Sequence, residues 1–180
     1  MATIFWQALG AGALAGLRSI TPLATLSGSL AKNKSATLAT SPLRFLQSKT
    51  AATALKLMAG AEMVADKVPG MPDRTAPNVL LGRAVSGALI GATIYKAGKD
   101  RQMAVGAVLG SLAAVAATFA SFHLRKSLGE QTPVPDTAWA VAEDATVLSS
   151  SLALSTAPKA PRPDRHNGPE FARRKIQYPS

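Results

Sequence analysis

The chain has no cysteine, only 5% aromatic residues and half as many acidic residues as basic ones. Lacking cysteine, it can form no disulfide and do no thiolate chemistry, while the redox compartment is left open. The scarcity of Phe, Tyr and Trp excludes a large aromatic core, and the apolar content is carried by Ala, Leu and Val, a balance suited to close helix packing. His123 and His166 are the only histidines, too few and too far apart for a metal site. No Gly-rich phosphate loop is present, and no cofactor is expected. Lys67 and Arg74 reproduce the Lys-x6-Arg opening of a membrane lipid-phosphate phosphatase signature. Thr75 stands where that signature has Pro, and its later Ser-Gly-His and Arg/His elements are missing. The paired-Asp signature of phosphatidyl-alcohol transferases is absent too, so the sequence gives no catalytic motif.

The 180 residues suffice for one domain. The net charge of +10 raises the question of nucleic acid. The basic residues, however, fall in short clusters between hydrophobic segments and in the C-terminal stretch, with no interleaved aromatics. That distribution fits a membrane with anionic lipids and not a nucleic acid.

Five apolar segments follow one another along the chain. The first, from Thr3 to Leu30, is interrupted by Gln7 and Arg18, with Pro22 and Gly28 placed to kink or end it. It is long enough to cross a bilayer, and no Lys or Arg precedes it, so it reads as a retained span with its N-terminus outside. Residues 31–50 read as a polar connection. Segment two, 51–68, carries Lys56, Glu62, Asp66 and Lys67 and is the least hydrophobic; the alternative for it is a helix on the membrane surface. Pro69, Gly70, Pro72 and Pro77 mark a rigid turn. Segment three, 77–97, holds Arg83; segment four, 103–124, holds no charge; segment five, 137–154, holds Glu143 and Asp144. The predicted fold is all-α, an integral membrane bundle of about five helices over residues 1–156. Residues 157–180, rich in Pro and Arg, cannot bury a core and are expected to form a disordered tail on anionic lipid headgroups.

Charge counting supports this threading. The first and third connections and the tail hold four, three and six basic residues, while the two outer connections hold two each. By the positive-inside rule the C-terminus is cytoplasmic.

Gly12 and Gly16, Gly87 and Gly91, and Gly106 and Gly110 each stand four apart, a spacing that lets helix backbones approach closely, within one subunit or between copies of a homo-oligomer. Glu62 and Asp66 share a helix face, and Arg83 shares one with Gly87 and Gly91, which aims it at a helix contact and not at lipid. An ionised side chain at a helix centre costs about 2.5–3.5 kcal/mol on insertion scales, so these carboxylates need partners or a polar cavity. Glu62, Asp66, Arg18, Arg83, Glu143 and Asp144 are therefore the candidate polar or ion pathway. The alternative is that Arg18 and Arg83 simply neutralise the carboxylates for packing. The environment of Arg18 is echoed at Arg125, and that of Asp66 at Asp144, a pattern that would suit an inverted repeat.

The elements Gly-Leu-Arg18-Ser-Ile-Thr-Pro22, Glu62-Met-Val-Ala-Asp66-Lys67-Val-Pro69, Pro72-Asp73-Arg74-Thr75 and Gly82-Arg83…Ser86-Gly87-Ala88-Leu89-Ile90-Gly91-Ala92 together resemble the small bacterial multi-pass membrane proteins grouped as domain of unknown function 4126. The likeness covers about residues 8–150, and Glu-x3-Asp-Lys-x-Pro is its most specific part. The resemblance implies a protein of the bacterial inner membrane and no established activity.

Overall fold

The computed structural model describes residues 2–65, 76–98, 102–131 and 136–156, and every regular element among them is helical. In order these are α1 (Ala2–Leu17), α2 (Thr21–Lys32), α3 (Ala36–Ala39), a 3₁₀ helix (Pro42–Gln47), α4 (Lys49–Ala65), α5 (Pro77–Ala97), α6 (Met103–Gln131) and α7 (Asp136–Thr156). Asp66 and residues 157–180 lie outside the described residues, as do Lys67, Arg74, Lys99 and Arg101.

The expected first span is two helices. In an uninterrupted helix the amide of residue 22 would bond to the Arg18 carbonyl; Pro22 has no N–H, and its ring would collide with that carbonyl. The chain leaves the helix at Arg18–Ile20 and restarts at Thr21, which puts Pro22 in the first turn, where a missing N–H costs nothing.

The restarted helix turns back. α5 runs antiparallel to α1: Arg83 meets the end of α1 at Gly16, and the Cβ position of Gly98 faces Ile4 near its start. α7 is also antiparallel to α1, since Arg18 meets Asp144 whereas Gln7 and Ser151 line one cavity. That cavity is lined as well by Thr25 and Leu26 of α2 and Ile94 of α5, so α2 descends toward the end at which α1 begins. α4 then climbs beside α2, with Glu62 at Ser19 and Ile20 and Lys56 beside Gly28. α1 and α2 are thus the arms of a helical hairpin. The tip, Arg18–Ile20, stands level with Ala114 and Ala117, close to the midpoint of the 29-residue α6.

α1 begins and α7 ends at the same end of the bundle, called here the base, because the first apolar segment is a helical hairpin and not one continuous helix. The charge count could not reveal this, since residues 1–17 carry no Lys or Arg.

The connection after α2 is not a polar loop. α3 and the 3₁₀ helix fold against the base of α2 and α5 and bury Leu38, Leu43 and Leu46 in the main core with Leu23, Leu30 and Ile90. The Leu46 carbonyl accepts from Ser27 Oγ at 2.8 Å, and Gln47 Oε1 accepts from the Ser35 amide at 2.6 Å. Its four basic residues hide the apolar triplet that does the packing.

All three glycine pairs meet in one seam between α1, α5 and α6. A Cβ built on Gly12 would stand 2.7 Å from the Gly110 Cα, and one on Gly87 would stand 2.8 Å from the Ala114 Cβ. The close approaches are consumed within one chain, so the small-residue spacing gives no support to a homo-oligomer. The internal echo also fails to repeat in three dimensions. Arg18 sits at a helix break, whereas Arg125 lies inside the continuous α6.

Among the described residues two helices, Pro77–Ala97 and Met103–Ser127, are long and apolar enough to cross a membrane, with Thr3–Leu17 a shorter apolar helix. Only 44% and 28% of their apolar windows are buried, unlike the core helices of a water-soluble protein. Leu57, Leu81, Leu112 and Leu152, on four different helices, each leave more than half of their surface exposed.

Candidate functional site

A helix that ends inside an apolar bundle strands its last carbonyls, and one that begins there strands its first amides. Both problems arise at the hairpin tip, and side chains from three other helices meet them.

On the amide side, Glu62 of α4 accepts from the Ser19 amide through Oε1 at 2.9 Å and from the Ile20 amide through Oε2 at 3.1 Å. Both carboxylate oxygens are spent on the start of α2, where the helix dipole also favours negative charge. Ile20, in the N-cap position, has no side chain able to cap, so Glu62 does from a neighbouring helix what Ser or Asp does locally elsewhere.

On the carbonyl side, Arg83 of α5, 3% exposed, donates from Nη1 to the Gly16 carbonyl. Thr118 Oγ1 of α6 lies 3.0 Å from the same carbonyl and 2.8 Å from that of Ala114, its one proton shared between them. Ser86 Oγ donates to the Ser19 carbonyl. Arg83 and Ser86 are three residues apart on the face of α5 that also carries Gly87 and Ile90, all four buried.

Arg18 completes the tip. Its amide still bonds to Leu14, at 3.0 Å, and its side chain is 1% exposed. Nε donates to Asp144 Oδ1 of α7 at 2.6 Å, and Nη2 contacts the same oxygen. The neighbouring residue on α7, Glu143, turns about 100° away around the helix and faces α6, where Arg125 Nη1 lies 3.7 Å from its Oε2.

Of the six sequence candidates, the structure gathers Arg18, Glu62, Arg83 and Asp144 at the tip and leaves Glu143 with Arg125. Asp66, one turn beyond Glu62, lies outside the described residues. Among the described residues Arg18 meets a carboxylate of the set, Asp144, while Glu62 accepts from two amides and Arg83 donates to a carbonyl. Ser19, Ser86 and Thr118 were not singled out from the sequence. For Ser86 the three-residue spacing from Arg83 was a usable signal; for Thr118, one of four hydroxyl residues in α6, there was none.

The tip groups Arg18, Arg83, Glu62 and Asp144 sum to zero formal charge. They provide hydrogen-bonding capacity for the broken backbone. Among the described residues no group of three His, Asp or Glu side chains could hold a metal ion.

A family model, Domain of unknown function (DUF4126), matches residues 6–161, nearly the whole helical region. The chain belongs to this family. No curated protein and no solved structure matches it.

Proposed function

We propose that this family member is a membrane-embedded carrier or channel for a small ion or polar solute, organised around the hairpin tip. The observation that carries the reading is a buried helix break, level with the middle of α6 and ringed by Arg18, Glu62, Arg83 and Asp144, inside a bundle with many exposed apolar side chains. Non-helical backbone at membrane depth is tolerated where protein buries it or where it lines a polar cavity, and broken helices of this kind form the central sites of many secondary transporters.

In this reading α4, α5, α6 and α7 span the bacterial inner membrane and the α1–α2 hairpin enters from the base without crossing. The base is cytoplasmic: the connections after α2 and α5 and the C-terminal stretch hold thirteen basic residues, against four in the connections at the other end. Residues 157–180 then meet anionic headgroups. Asp66, next to the turn after α4, remains part of the proposed pathway.

A second reading is a non-catalytic scaffold, favoured by the engagement of every charged tip group with a protein partner. Liposome flux separates the two. Protons, simple cations and small anions are tested on the native protein, Glu62→Gln and Asp66→Asn at matched protein density. Flux in the native protein that disappears in folded variants supports the pathway. Absence of flux throughout, with lower abundance of the variants, supports the scaffold.

A further inference from the structure

Between the two arms of the hairpin lies a cavity of about 70 Å3, lined chiefly by apolar side chains together with Gln7, Thr25 and Ser151. Its inner end is formed by Leu14 and Pro22, each four residues from Arg18 on opposite sides of the break. Gln7, Ala11, Leu14 and Arg18 share one face of α1, and Asp144 and Ser151 one face of α7. The cavity therefore continues along the same two helix faces that meet in the Arg18–Asp144 pair, and Ser151 stands about 10 Å along α7 from Asp144.

One buried hydroxyl that lines this space has no hydrogen-bond partner among the described residues: Ser151 Oγ, on a residue 3% exposed. Buried hydroxyls are costly to leave unpaired, and the common remedy where space allows is ordered water. A cavity of this volume has room for about four water molecules at roughly 15 Å3 each. Neither charge nor aromatic surface faces it, which disfavours an ion or a ring-bearing ligand as its resident.

We infer that the cavity is a hydrated vestibule, holding water bonded to Ser151 and bringing it to the inner end of the hairpin beside Arg18 and Asp144. The inference rests on the membrane reading above and is independent of which solute, if any, is carried.

The absence of cysteine makes the test direct. Ser151→Cys changes one atom, and thiol alkylation requires a thiolate, hence water. The full chain is reconstituted in liposomes with one cysteine at a time, treated with iodoacetamide and read by intact mass. Complete modification in denaturing detergent serves as the reference. Val147→Cys, on a fully buried residue one turn away, is the dry control, and Leu152→Cys, on the apolar outer face of α7, is the lipid control. Modification of Ser151→Cys at least ten-fold faster than both controls is expected. A Ser151→Cys thiol as inert as that of Val147→Cys would overturn the vestibule. Equally fast modification of Leu152→Cys would overturn it differently: the outer face of α7 would stand in water, and the membrane reading itself would be at fault.

Discussion

Arg18 and Asp144 are joined by a 2.6 Å bond between a fully buried guanidinium and a carboxylate that is 14% exposed. Removing one partner of such a pair strands the other charge and costs about 3–5 kcal/mol, whereas replacing both with apolar residues of similar size is often neutral or stabilising. Arg18→Met and Asp144→Leu should therefore each destabilise by about 3–5 kcal/mol, while the double variant recovers most of one loss, a coupling of roughly 3 kcal/mol. Two features of the tip bear on the estimate. Arg18 keeps its backbone bond to Leu14 in either variant, and Glu62 continues to hold the amides of Ser19 and Ile20, so the hairpin persists while the charge is lost. Reversible unfolding in mixed micelles titrated with dodecyl sulfate measures all four corners of the cycle. Strictly additive losses, with coupling below about 0.5 kcal/mol, would refute the pairing, since contacting residues couple by more than that. The same four proteins also separate the two functional readings. An apolar double variant that is stable and still assembled but conducts nothing is the outcome expected of a pathway, whereas for a scaffold stability and abundance are the whole effect.

Gly87→Ala should destabilise by at least about 1–3 kcal/mol, because its Cβ must enter the backbone contact with α6, whereas Gly60→Ala meets nothing within 4 Å and should stabilise by up to about 1 kcal/mol through helix propensity. Thermal unfolding of both variants in one detergent checks the sign of each; equal effects would count against the three-helix seam. Reporters of membrane sidedness fused to the N-terminus and the C-terminus should both report the cytoplasmic face. Reporters on opposite faces would rule out the hairpin, and both on the outer face would reverse the orientation.

How much of this was legible in the sequence depended on the scale of the signal. The all-helical character, the limits of α5 and the start of α6 follow from long apolar runs bounded by Pro77, by Gly98 and by the basic residues after it, whereas α6 runs on past the expected end at residue 124 to Gln131. Arg83 was aimed correctly at a helix contact by its register with Gly87 and Gly91, and the glycine pairs proved to be one seam. The hairpin was not legible. Pro22 marked a break, yet a proline inside an apolar run is compatible with a kinked span, and nothing local states whether the chain continues or returns. That choice is settled by distant residues, Glu62 and Asp144 among them, and their contacts have no imprint near residue 20. The packed connection after α2 was missed for a similar reason: Leu38, Leu43 and Leu46 have no helical or strand period, and charge dominated the window around them. Partner choice at the site was likewise open, because a carboxylate is satisfied as well by two amides as by a guanidinium.

The way the tip is satisfied sets an order of events during synthesis. The hairpin is made before Glu62, Arg83, Ser86, Thr118 and Asp144, which hold its tip and follow it along the chain. Until α7 exists, Arg18 has no Asp144 to meet, and before α4 the amides of Ser19 and Ile20 need water. If the bundle is membrane-embedded as proposed above, the nascent hairpin waits with its tip in the wet interfacial layer and moves to depth only as the last helix arrives. On that proposal its insertion closes the assembly instead of opening it, and a chain truncated before residue 144 should leave its N-terminal segment at the membrane surface.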